Sequence, residues 1–198
     1  MTNHLEIEFK NLLTEDEYLR LLTESDIDFN GLHSQTNLYF DTKEAFLKKH
    51  KMGLRIRLLP QSIEFTLKVP TEDANAFMEI TDQVTNYQSD LALVEQNFAA
   101  TSQVLAYLRK KEVDVTSLEK VGELTTIRGE AQLSDGDLLV LDKSQYYGIT
   151  DYELEMEVTD SQKGKNRFNH FLSQHEIPHR PAKKKIVRML EGKAQSLS

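Results

Sequence analysis

Four short stretches of this 198-residue sequence alternate charged or polar with apolar side chains. Glu6, Glu8 and Lys10 alternate with Leu5, Ile7 and Phe9, and Arg55 and Arg57 with Leu54, Ile56 and Leu58. Glu64, Thr66 and Lys68 alternate with Phe65, Leu67 and Val69, and Glu153, Glu155 and Glu157 with Leu154, Met156 and Val158. A period of two places each charged set on one face of a strand. Two of the sets carry one sign only, and like charges two residues apart repel, so each stripe needs an opposite partner or a ligand. Carboxylate oxygens are hard ligands that suit Mg²⁺ or Mn²⁺, while Arg and Lys suit the phosphate oxygens such an ion leaves bare. Together they are what a triphosphate bound with a divalent cation requires. The same alternation also describes an antiparallel sheet with one face in water and charges paired across strands. Periodicity alone leaves both readings open.

The elements that must position these residues follow from the rest of the pattern. The first stripe is a strand, and Thr14 with Glu17 three residues on makes a capping box for a helix carrying Tyr18, Leu21 and Leu22. After a turn at Asn30-Gly31, a second strand covers 35–41 and a short helical or irregular excursion covers 42–50. Strands at 54–58, 63–69 and 77–85 read as an antiparallel meander. Residues 89–113, with Ser89 as cap, read as one long helix or a broken pair. Strands resume at 121–132, 138–145 and 151–158, the first two joined by a hairpin turn at Ser134-Asp135-Gly136-Asp137. A helix starting at Thr159 or Asp160 runs to about His175, and 183–190 is a last short strand or helix. About eight strands clustered in hairpin runs, with helices interspersed, make this an α+β chain and argue against βαβ winding. One domain over residues 1–198 is expected, since no stretch is long and polar enough to be a linker.

Composition removes several chemistries. There is no cysteine, hence no disulfide, no thiolate nucleophile and no Cys-ligated zinc. The six histidines show no HExxH or other metal spacing, and neither a Walker A nor a GxGxxG motif occurs. A formal net charge of −8 argues against nucleic-acid binding, which needs a broad basic surface. The N-terminus lacks an apolar leader and no run of eighteen apolar residues occurs, so a cytoplasmic protein with no membrane association is expected.

Glu6-Ile7-Glu8-Phe9-Lys10 resembles the ExExK signature of the CYTH superfamily of triphosphate tunnel metalloenzymes, which includes thiamine triphosphatases, inorganic triphosphatases and class IV adenylate cyclases. Tyr39-Phe40-Asp41-Thr42 is similar to its Y-F/Y-D-T segment, Leu54-Arg55-Ile56-Arg57 to its LRxR, and Thr66-Leu67-Lys68-Val69-Pro70 to its TxKxP, with Val69 where many members carry Gly. Glu79, Arg128, Asp142 and Glu153-Leu154-Glu155 follow in the family's order, and Pro181-Ala182-Lys183-Lys184-Lys185 resembles its late basic segment. The resemblance implies an eight-stranded antiparallel closed β-barrel with helices packed outside, which turns the charged faces into an interior. It implies Glu6, Glu8, Asp142, Glu153 and Glu155 as ligands of Mg²⁺ or Mn²⁺. Lys10, Arg55, Arg57, Lys68, Arg128 and one of Lys183 and Lys185 would contact phosphate, with Glu6, Glu8, Lys10 and Lys68 at the catalytic centre. Glu64 and Glu79 either serve as counter-ions or extend the metal site, Glu157 lies at the tunnel mouth, and Arg188 either joins the lysines or is solvated. The implied activity is hydrolysis of a small-molecule triphosphate. Cyclisation of ATP and non-catalytic binding of polyphosphate or a nucleotide are the alternatives. Barrel closure removes free edges, so a monomer or weak homodimer is expected.

Overall fold

The charged stripes do lie on strands, and their apolar partners face outward. In a computed structural model describing residues 2–25, 27, 31–85 and 102–196, eight strands are present. They are β1 (Thr2–Leu13), β2 (His33–Thr42), β3 (Gly53–Leu58), β4 (Ser62–Pro70), β5 (Ala76–Thr85), β6 (Leu118–Gln132), β7 (Leu138–Tyr146) and β8 (Ile149–Val158). All pairings are antiparallel, and the order β1-β5-β4-β3-β2-β6-β7-β8 closes on itself through β1 and β8. The fold is therefore the α+β closed barrel the resemblance implies.

Helices cover the outside because that is where the apolar halves of the strands point. Ile7, Phe9, Leu139, Leu141, Leu154 and Met156 pack with Tyr18, Leu21 and Leu22 of α1 (Glu15–Glu24). Phe168 and Leu172 of α4 (Ser161–Gln174) complete that layer. Around the barrel, Leu54, Ile56, Phe65 and Leu67 meet Leu47 of α2 (Phe46–Lys49) and Val104 and Leu108 of α3 (Gln103–Lys110). Each such side chain contributes about 1.5–3 kcal/mol on leaving water. The hydrophobic core thus lies between barrel and helices, and the interior is left to polar groups.

Local signals account for most element ends. Thr14 Oγ1 accepts from Glu17 N at 3.2 Å while Glu17 Oε2 accepts from Thr14 N at 2.8 Å, closing the expected capping box. Asp160 caps α4 by accepting from Lys163 N at 2.8 Å. Asp41 accepts from the backbone N–H groups of Thr42, Leu47 and Lys48 at 2.8, 2.8 and 3.0 Å, which ties the end of β2 to α2. Of the long helix or broken pair expected over 89–113, α3 is present with Ser102 as its cap. Ser89 and the preceding half lie outside the described residues. A 3₁₀ turn at Val115–Ser117 leads into β6, three residues earlier than periodicity indicates.

The last element resolves in favour of a helix, α5 (Lys185–Ser196). Its Met189 packs with Tyr39, Leu124 and Tyr146 at one end of the barrel. Gly122 leaves room for it, since a Cβ there would meet the Met189 thioether and push it aside.

Candidate active site

Alternation fixes which side chains point inward: even-numbered residues of β1, β4, β6 and β7, and odd-numbered ones of β2, β3, β5 and β8. They enclose a cavity of about 340 Å³ lined by Glu6, Glu8, Lys10, Arg55, Arg57, Lys68, Arg128 and Glu155, with Lys185 entering from the start of α5. That volume lies in the range of small-molecule sites. All four sequence stripes contribute to one void.

On the wall built by β1, β7 and β8 the charges are densely paired. Lys185 Nζ reaches Asp142 Oδ2 at 2.8 Å, Glu153 Oε1 at 2.8 Å and Glu155 Oε1 at 2.6 Å. Lys10 Nζ reaches Glu155 Oε1 at 2.7 Å and Glu8 Oε2 at 3.1 Å. Arg128 donates from Nε and Nη2 to the two oxygens of Asp142 at 2.8 and 2.6 Å, a bidentate pair, and from Nη2 to Glu155 at 3.1 Å. Burial disfavours the ammonium of Lys10, but Glu155, Glu8 and Glu153 outweigh it and hold the pKa well above the usual range. The carboxylates still exceed what these bases satisfy. Burial, reinforced by Glu155 against the pull of Lys185, pushes the Glu153 carboxyl up to about 7. Glu157, set opposite Glu8 in the strand register, is pushed up to about 7 by burial and by Glu6 and Glu155.

The wall of β2 and β3 is the converse. Arg57 donates to Asn37 Oδ1 at 3.2 Å and to Glu64 Oε2 at 3.3 Å. Burial and the neighbouring guanidinium groups of Arg55 and Arg128 lower its pKa to about 10. Arg55 has Glu79 3.7 Å away, and Arg55 Nε is buried without a hydrogen-bond acceptor. Between the walls, Lys68 contacts Glu6 and lies 3.1 Å from Glu79 and 3.6 Å from Glu8. Glu79 is accordingly pulled down to about 2, Lys68 and Arg55 overcoming the cost of its burial.

Among the described residues no three carboxylate or imidazole groups stand as a ready-made cage for a cation. The donor set nonetheless fits a hard divalent ion in kind: Glu6, Glu8, Asp142, Glu153 and Glu155 offer oxygen alone. Glu153 Oε2 is buried and faces Arg188 as its ion-pair partner. Lys10, Lys68, Lys185 and the Arg128 guanidinium hold most of the other oxygens, so an ion would take carboxylates over from these bases.

Of the sequence candidates, Lys183 is the one the barrel does not gather. It stands outside with its side chain 63% exposed, paired to Glu191 at 2.6 Å. The expectation that Lys183 and Lys185 share a strand face fails because α5 starts at Lys185, where a helical turn replaces alternation. Arg188 is buried, donating to Asp151 at 2.8 Å. Glu64 and Glu79 both line the cavity as counter-ions of Arg57 and of Arg55 and Lys68. Residues that the charge pattern did not single out are Gln35 and Asn37, polar side chains lining the cavity among its charges, beside Thr66 of the third stripe. Phe77 and Lys184 also line it, the Lys184 ammonium standing 4.1 Å from the Phe77 ring centroid. The alternation of β2, with Gln35, Asn37 and Tyr39 in step, was the available signal for the first two.

The chain matches the CYTH domain family model over residues 4–190. It is 35% identical over 198 residues, the whole of both chains, to a Bacillus subtilis (strain 168) protein provisionally named triphosphatase YjbK. A crystal structure of a provisionally assigned adenylate cyclase from Bacillus halodurans superposes with a TM-score of 0.84 at 32% identity, covering 95% of this chain and 98% of that one. HpAC1 from Hippeastrum, provisionally an adenylyl cyclase and described as having a dominant triphosphatase activity, shares the fold at a TM-score of 0.75 and 21% identity, over 95% of this chain and 96% of that one.

Proposed function

Because this chain belongs to the CYTH domain family, we propose that it hydrolyses a small-molecule triphosphate with the help of a divalent cation, Mg²⁺ or Mn²⁺, inside the barrel. The name given to the 35% identical Bacillus subtilis relative supports this reading. The observation that carries it is the division of the cavity: Arg57 crowded by Arg55 and Arg128 on one side, and carboxylates in excess of their bases on the other. A polyanion relieves the first and a cation relieves the second.

Arg55, Arg57 and Arg128 would hold phosphate oxygens, Arg57 turning from Asn37 and Glu64 to a better acceptor, with Lys10, Lys68 and Lys185 placed to add ammonium groups. Glu6, Glu8, Asp142, Glu153 and Glu155 would hold the cation. When bound, such an ion supplies positive charge against the phosphate oxygens and acidifies water. The protein's own part is positioning and charge stabilisation within a largely buried barrel interior, as phosphoryl transfer demands. We read residues 1–198 as one domain acting as a cytoplasmic monomer or weak homodimer.

The test is phosphate release from tripolyphosphate, thiamine triphosphate and ATP, each with Mg²⁺ or Mn²⁺, with cyclic AMP measured in parallel. Metal-dependent release from at least one is expected. Cyclic AMP in place of phosphate would make the protein a cyclase, and tight binding without turnover would make it a polyphosphate-binding module.

A further inference from the structure

Between β1 and β5 the barrel wall is incomplete as a ladder. Pairing of β1 with β5 ends at Ile7 opposite Ala76, while β1 runs on to Leu13 paired on its other edge with β8. The free edge of that extension is taken by residues 178–181, a strap between α4 and α5. Leu12 N donates to Arg180 O at 2.8 Å, and Asn11 forms an isolated bridge with Pro181. Asn11, fully buried, holds the strap with both ends of its amide. Its Nδ2 donates to Pro178 O at 3.1 Å and to Leu12 O at 2.9 Å, and its Oδ1 accepts from Arg180 N at 2.6 Å. Arg180 in turn makes a bidentate pair with Glu17 of α1 at 2.8 and 3.0 Å.

Alternation gives this arrangement its meaning. Lys10 points into the cavity and its neighbour Asn11 points out, so one strand holds the site from within and the strap from without. Pro181 is four residues before Lys185, a span of at most about 14 Å. The strap therefore limits where Lys185 can enter the cavity. Arg188 secures the far side through Asp151, leaving Lys185 between two anchors.

We propose that Asn11, seconded by the Glu17–Arg180 pair, is a positioning residue for the triphosphate site: by pinning the strap to the free edge of β1 it sets Lys185 in the cavity. This rests on the reading of Lys185 as a phosphate ligand. An Asn suits the position because the strap presents both an acceptor, Pro178 O, and a donor, Arg180 N, and its amide answers each from a separate atom.

The test is a double-mutant cycle read by calorimetric titration of tripolyphosphate and by the KM and kcat of phosphate release. Asn11→Ala should weaken tripolyphosphate binding about tenfold and raise KM more than it lowers kcat. In a Lys185→Met background the same change should cost less than about twofold, because its effect passes through Lys185. Arg180→Glu should reproduce the loss, and the exchange Glu17→Arg with Arg180→Glu should recover most of it, an arm that stands even where Asn11→Ala folds poorly. An undiminished Asn11→Ala loss in the Lys185→Met background, or no recovery on charge exchange, would overturn the positioning role alone. Unchanged affinity in Lys185→Met itself would overturn both that role and the assignment of Lys185 to phosphate.

Discussion

On the wall of β1, β7 and β8 each buried cation reaches at least two carboxylates, Lys185 reaching three within 2.8 Å. On the wall of β2 and β3, Arg57 has one carboxylate, at 3.3 Å, and two guanidinium neighbours that lower its pKa. Both walls are largely buried, so both carry a desolvation penalty. The first meets all its cations through pairs that stabilise each other and leaves only carboxylate in excess, whereas the second keeps part of its cationic charge unmet. The difference separates two jobs that buried charge can do. Paired charge holds the barrel together, and unmet charge is held ready for a ligand.

The comparison breaks or sharpens most clearly at Glu155, which serves Lys10, Lys185 and Arg128 together. Glu155→Gln should lower the unfolding free energy by about 3–5 kcal/mol, the usual result of removing one member of a buried ion network. Urea denaturation measures this, and a loss under about 1 kcal/mol would mean that the pairs are not what holds this wall. Arg57→Ala should do the opposite. Stability should stay within about 1 kcal/mol of the parent, since crowding by Arg55 and Arg128 is relieved as contacts are lost. Affinity for tripolyphosphate should fall by roughly 1.5–3 kcal/mol, about ten- to hundredfold, as for a charged hydrogen bond removed. A stability loss as large as that of Glu155→Gln would erase the distinction.

The smallest effect is a pH dependence at the junction of the walls. Glu79 is held at about 2, against an ordinary value of 4.5, by Lys68 and Arg55 in spite of burial. A lowered carboxyl contributes stability above pH 4.5 and loses it as pH falls toward 2. The stability gap between parent and Glu79→Gln should therefore be widest near pH 6 and close below pH 4.5. A gap that stayed constant across this window would show that Glu79 carries no shifted proton equilibrium.

Most of the barrel was legible because period-two alternation is a local signal, and β1, β3, β4 and β8 display it within a few residues. The inward direction was not. Charged stripes look the same on a solvated sheet and in a closed barrel, and only pairing of β1 with β8 across the whole chain distinguishes them. Three consecutive lysines illustrate a second limit. Whether Lys183, Lys184 or Lys185 enters the cavity depends on where α5 begins and on how the strap is pinned, and neither follows from the run itself. Asn11 escaped notice for the same reason: its partners in the strap are backbone groups more than 160 residues away. Glu79 matched the family order, yet its role as counter-ion depended on the register of β4 with β5, which sets it opposite Lys68.

The seam between β1 and β8 has a consequence for how the protein is made. β1 leaves the ribosome well before β8, which completes one of its edges after a delay on the order of ten seconds at ordinary synthesis rates of about 5–20 residues per second. Until β8 arrives there is no interior, and Glu8 and Lys10 remain in water on a half-built sheet. Charge burial is thus deferred to the closing event, when Lys10 meets Glu155 across the seam.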